Sequence, residues 1–275
     1  MFTRLTGALL RAIIIGFTMC IPALMLPHTN VDTAQIIAVV AFFGAALTFF
    51  EYASVYPGLV EFRDAPPFNR IRFSALFLMI FVMSTAIAAQ YEPNTFNRLI
   101  EVLSETISRA LDMPYSPVRL FLLALPDYSS PAHIETVRTA VGMSYFITII
   151  TLVYFVISMR LRNWPVDKGT FNVWVNLPTF DPTAGGDVVE RLRRDSWFNV
   201  ALGFLLPFLI PAGIKLISMN FSVITLENPH ALIWTVTAWA FLPVSLFMRG
   251  IAMGRVATMI EAKRRAQESA GYVAA

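Results

Sequence analysis

The residues able to do chemistry in this chain are few. His28, His133 and His230 are its only histidines, with Asp32, Asp127, Glu135 and Glu227 in the same segments. Imidazole and carboxylate together make a common ligand set for zinc. No two of these groups sit at ligand spacing on one helix, so no metal centre is expected. Ser129, Ser130, His133 and Glu135 carry the side-chain types of a serine hydrolase. Neither serine stands in a nucleophile elbow, and such a local cluster is not a triad. There is no HExxH pair, Walker loop or dinucleotide fingerprint. A bis-histidine haem would need histidines inside membrane spans, where none falls. Cys20 is the single cysteine, which excludes an internal disulfide, a CxxC redox pair and a cysteine-built zinc site. The expected catalytic, metal and cofactor-binding residues are therefore none.

What remains is positive charge and the elements that carry it. The chain is 56% hydrophobic and 14% charged, against roughly 25% charged for a soluble domain. Six apolar runs, with charges only near their ends, cover residues 8–26, 34–52, 73–89, 139–159, 198–218 and 231–249. Each is long enough to cross the hydrocarbon as a helix, which takes about 17–25 residues. None alternates with period 2, so helices are the form that satisfies the backbone in lipid. The expectation is one polytopic all-α membrane domain over 1–275. Pro22, Pro207, Pro211 and Pro243 fall inside spans and should kink them.

Of the 21 basic residues, only Arg98, Arg109, Arg119, Arg138 and Lys215 fall on the side opposite the termini. The positive-inside rule then puts both termini in the cytoplasm, most naturally of a bacterial inner membrane. Charge concentrated on one membrane face also argues against nucleic acid as a partner. The centres of the spans contain no ionisable residue, which a proton- or cation-coupled transporter would need. Thr18, Ser84, Thr85, Tyr145, Thr148 and Thr151 could line a path for a neutral solute or join helices.

Three loop regions complete the expectation. Residues 51–72 form an inner loop punctuated by Pro-Gly and Pro-Pro, ordered by turns, with Arg63, Arg70 and Arg72 available to acids or lipid phosphates. Residues 91–138 form an outer lid. Phe96, Leu99, Ile100, Leu103, Ile107 and Leu111 recur at helical spacing there, with Glu101, Glu105 and Ser108 on the other face. A second short apolar helix follows over 118–125. Residues 160–197 form the long inner loop. Phe171, Val173, Val175 and Leu177 alternate with Asn172, Trp174 and Asn176, the pattern of a half-buried strand. Asp187 and Glu190 make a capping box that should open a helix running into the fifth span. Its Arg191, Arg193 and Arg194, with Trp174 nearby, suit anionic headgroups at about 1 kcal/mol per basic residue, or an acidic partner. Ala8, Ala12 and Gly16, and Gly250 with Gly254, are small-residue stripes for close helix packing.

The functional expectation is a non-catalytic accessory, assembly or scaffold subunit. It would contact anionic lipids and dock on a membrane-protein partner or a second copy of itself. The alternative is a permease or channel for an uncharged or lipid-like solute.

Overall fold

A computed structural model describes residues 2–27, 29–161, 164–165, 171–181, 183, 185–218, 226–269 and 271. His28, Arg162, Lys168, Pro182 and the side chain of Trp174 fall outside the described residues. The fold is all-helical. In chain order the helices are α1 (Phe2–Met25), α2 (Val31–Ala53), α3 (Phe68–Ala88), α4 (Thr95–Leu111), α5 (Pro117–Leu123), α6 (Pro131–Leu161), α7 (Val173–Asn176), α8 (Val188–Ser218) and α9 (Pro229–Ser269). Six of them, α1, α2, α3, α6, α8 and α9, are long and apolar enough to cross a membrane. The start of α1 and the end of α9 share one end of the bundle, here the near end.

Local chemistry sets the helix starts. Asn30, Asn94 and Ser116 each accept the backbone N–H three residues on, at 2.7, 2.9 and 3.0 Å. These side chains satisfy donors that a helix cannot satisfy itself. Asp187 does the same more loosely for Val189, at 3.3 Å. From there α8 runs unbroken to Ser218, through Pro207 and Pro211.

Two buried clusters make the core. The far cluster joins α3, α5, α6 and α9 around Met79, Val141 and Ile233. The near cluster joins α9 to loop residues Phe62, Trp164, Leu177 and Phe180. Phe241 packs against both. By contrast α2 packs principally on α1, and its Val39, Phe42, Phe43 and Phe50 are exposed.

Three features differ from the sequence reading or complete it. Among the described residues there is no strand. The segment expected to be one instead closes a helical turn, α7, with Asn176 and Leu177 donating to Asn172 and Val173 carbonyls at 3.1 and 2.8 Å. A lone strand would leave its backbone groups unpaired; a turn satisfies them locally. The sequence leaves open which face of α4 turns inward, and the structure turns in the polar one. Glu101, Ser104 and Ser108 are buried, while Phe96, Leu99, Val102 and Leu103 are exposed. Its polar face packs on α6, so close that Gly142 touches Ser108. Finally, α9 continues 20 residues past the expected end of the sixth span at Arg249, as far as Ser269.

Candidate functional site

The near end is built from loops that fasten to one another. Glu51, in the last turn of α2, accepts the backbone N–H groups of Gly58, Leu59 and Val60 at 3.0, 2.9 and 3.0 Å. Arg63 turns back on the same turn and donates to the carbonyls of Glu51 and Ser54 at 3.0 and 2.8 Å. These are the carbonyls a helix end leaves without partners, and an arginine suits them in charge as well as in shape. Phe62 is fully buried with a left-handed φ of 51°. That conformation is unfavourable for a bulky residue. Its N–H donates to the Asn176 carbonyl at 2.7 Å, and its ring lies 4.5 Å from Phe68 and 5.5 Å from Trp164.

An ionic knot ties this 51–72 loop to three other elements. Arg249 of α9 forms a two-pronged pair with Glu61, Nε to Oε2 at 2.6 Å and Nη2 to Oε1 at 2.9 Å. Its remaining Nη1 donates to the Asn199 side chain at 3.0 Å. The Thr179 hydroxyl donates to Glu61 at 2.6 Å. Asn176 adds a second link, its side-chain oxygen accepting the N–H of Asp64 at 3.0 Å. A forked guanidinium–carboxylate pair is geometrically specific and strong. It fixes the two near-end loops, α8 and α9 as one platform.

The arginines singled out from sequence sit around this platform in different ways. Arg191 donates to the Asp181 carbonyl at 2.8 Å and lies over the Phe180 ring. Arg193 pairs with Glu261 of α9. Arg194 points outward, its side chain 76% exposed and 3.7 Å from the neighbouring Asp195. Farther along α9, Arg255 donates to the Trp164 carbonyl at 3.1 Å and Arg264 to Asp187 at 2.8 Å. The hydrogen bond from Arg264 holds the Asp187 carboxyl below its ordinary pKa, helped by the N–H groups of Val189 and Glu190. The small-residue positions lie inside the bundle. Ala8 and Ala12 are buried, Gly16 faces Ala45 of α2, and Gly250 and Gly254 face Ser196 of α8.

Arg70 and Arg72 belong to a separate feature, a cavity of about 380 Å³ between α1, α2, α3 and the 51–72 loop. Arg11, Tyr52, Arg63, Asn69, Arg70 and Arg72 form its polar wall. Ile14, Ile15, Phe73, Leu76 and Phe241 form its apolar wall. The Arg72 guanidinium lies between the rings of Phe68 and Phe241, 5.6 and 5.8 Å from their centres. Its Nε is buried and has no hydrogen-bond partner among the described residues. A second space of about 460 Å³ shares Arg11, Tyr52 and Arg63 and adds Arg4 and Asp64.

At the far end the polar face of α4 is neutralised by a ladder of pairs. Asp112 forms an ion pair with Arg119 at 2.8 Å and accepts from Arg138 at 2.9 Å, and Glu135 accepts from Arg109 at 3.0 Å. No group of three or more metal-ligating side chains occurs among the described residues.

Comparison with protein-family models, curated proteins and solved structures finds no match. Sequence reasoning missed Asn176, Thr179 and Asn199 as members of the knot. Asn176 was assigned to the outer face of a strand, and nothing in its neighbours signals burial. Arg249 is visible in the sequence only as a charge at the end of the sixth run, and Glu61 only as one of several charges in the 51–72 loop that could pair with one another or with the 160–197 loop.

Proposed function

We propose that this protein is a non-catalytic integral membrane subunit that docks on a partner membrane protein through its near end. The observation that carries the reading is the platform itself. Two loops, the start of α8 and the α9 extension are locked by Glu61–Arg249, Arg193–Glu261 and Arg264–Asp187. Loops that only connect spans need no such fastening. An ordered surface lowers the entropy lost when a partner binds. The reading puts the near end and both termini in the cytoplasm of a bacterial inner membrane, on the strength of the charge asymmetry.

Arg194 and Lys263 are exposed on this platform, so their substitution leaves the internal pairs intact. Replacing both by Gln keeps helix propensity nearly unchanged. The variant should insert and purify normally in mild detergent but lose a co-purifying membrane protein. The loss of one charge from a buried interfacial pair weakens binding by about 2–5 kcal/mol. An unchanged set of co-purifying proteins overturns the docking reading.

The cavity beside Arg72 favours a second reading, a permease for a lipid-like solute. Against it, the Thr18, Thr85 and Thr148 hydroxyls each bond a carbonyl of their own helix at 2.8, 2.7 and 3.1 Å. Hydroxyls used in that way join helix turns and do not line a path.

A further inference from the structure

We propose that the cavity beside Arg72 binds a phosphate-headed lipid, with its phosphate among Arg11, Arg70 and Arg72 and its chain along the apolar wall. This goes beyond docking and does not depend on it.

The argument starts from unspent donors. A guanidinium carries five N–H groups in a fixed fork. Arg63 spends its own on the Glu51, Ser54 and Val55 carbonyls and on Asp64. Arg72 is different, since its buried Nε has no partner among the described residues. Leaving a buried charged donor unmade is costly, and such a group calls for an anion or ordered polar partner. Glu61 is the nearby acid whose charge reaches Arg72. Both of its oxygens are already taken by Arg249 and Thr179. Arg70 is exposed on the cavity rim, with no ion pair among the described residues. Arg11 spends one donor on the Gly7 carbonyl and lies 4.7 Å from the centre of the Tyr52 ring. Among the described residues no acid lines the cavity.

The shape then limits the ligand. A phosphomonoester carries about 1.5 to 2 negative charges, which suits more than one fork; a carboxylate carries one. One turn along from these arginines the lining is apolar, with Ile14 and Ile15 following Arg11 on α1 and Leu76 following Arg72 on α3. A free inorganic anion would leave that wall unused. The volume lies within the roughly 300–1,000 Å³ of ligand pockets. It accommodates a headgroup and the first part of a chain, with the rest of the chain free to follow the exposed face of α1, where Leu10 and Phe17 point outward.

The test uses the full chain, purified in mild detergent, with binding read by native mass spectrometry. The probes are 1-oleoyl lysophosphatidate, monoolein as the same chain without phosphate, and oleate as a carboxylate. Lysophosphatidate should bind once per chain, and at least tenfold more tightly than either other amphiphile. Inorganic phosphate should not displace it. Arg72→Gln should weaken it by about 10- to 100-fold, the range for one hydrogen bond to a charged group. Arg70→Gln alters only an exposed side chain and should weaken it measurably without disturbing the fold. Arg160→Gln, at an exposed arginine of the same end but outside the cavity, should bind as wild type. Equal retention of monoolein would make the cavity a simple apolar hole. Equal retention of oleate would reject the phosphate, and displacement by inorganic phosphate would reject the lipid chain. Unchanged binding in both Arg70→Gln and Arg72→Gln also overturns the proposal.

Discussion

Glu61 is the residue on which most of the near end depends. Its side chain is 10% exposed and that of Arg249 is 26%. Removing one member of a buried pair strands the other, at roughly 3–5 kcal/mol. Glu61→Ala should fall at the lower end of that range, because a quarter of Arg249 still meets solvent. Denaturant unfolding in detergent would measure it. The Glu61→Leu/Arg249→Met double variant should recover part of the loss; a purely additive result would mean the two residues do not act as a pair. Charge at positions 61 and 249 was legible in the sequence; the pairing was not. No periodicity links a loop residue to one 188 positions later. Asn176 was hidden for a related reason, since its partners are backbone groups of Phe62 and Asp64, which carry no sequence signature.

Among the elements, the α8–α9 contact is the most extensive. A Cβ on Gly250 would meet the Ser196 carbonyl oxygen at 2.7 Å and Val200 at 2.8 Å. Gly250→Ala should therefore destabilise by about 1–3 kcal/mol, the usual cost of overpacking. Gly213, in the same α8, faces open space, and Gly213→Ala should gain about 0.5–1 kcal/mol. Paired thermal unfolding measurements with opposite signs are the expected outcome. The Asp187–Arg264 tie between α8 and α9 has a pH signature. Its carboxyl is held below the ordinary 3.8. The tie is therefore complete above that value and is lost only as pH falls through the lowered folded-state pKa. Mild acid should leave it intact, and Arg264→Gln, which removes the tie, should raise the Asp187 carboxyl toward its ordinary range. The six long helices were readable because apolar length alone identifies them. The α4 period was readable too, but not its direction. In water an apolar stripe turns inward; beside lipid the polar stripe does. A cysteine at Leu99 in a Cys20→Ser background should resist a membrane-impermeant maleimide, and rapid labelling would mean that face meets water.

For the whole molecule, the placement of ends is testable directly. A reporter active only outside the cytoplasm should work when fused after Ser218 and fail at the C-terminus; the reverse pattern inverts the protein. Reconstituted protein should give no flux driven by a proton or sodium gradient, since the span centres lack an ionisable relay. Uptake that collapses with the gradient would direct attention to Glu51 and Lys215. The length of α9 has a further mechanical consequence. Its 41 residues span about 60 Å at roughly 1.5 Å each, about twice the hydrocarbon thickness. The half beyond Arg249 is thus a rigid extension of the span, its first turns buried in the near cluster through Met253, Val256 and Ala257. A swing of about 10° at its base would carry the tip of a ~30 Å arm through about 5 Å. That packing opposes the swing together with three latches: Arg193 to Glu261, Arg255 to the Trp164 carbonyl, and Arg264 to Asp187. Whatever releases them would turn a small shift among the spans into a large stroke at Ser269, with no change in the helix itself.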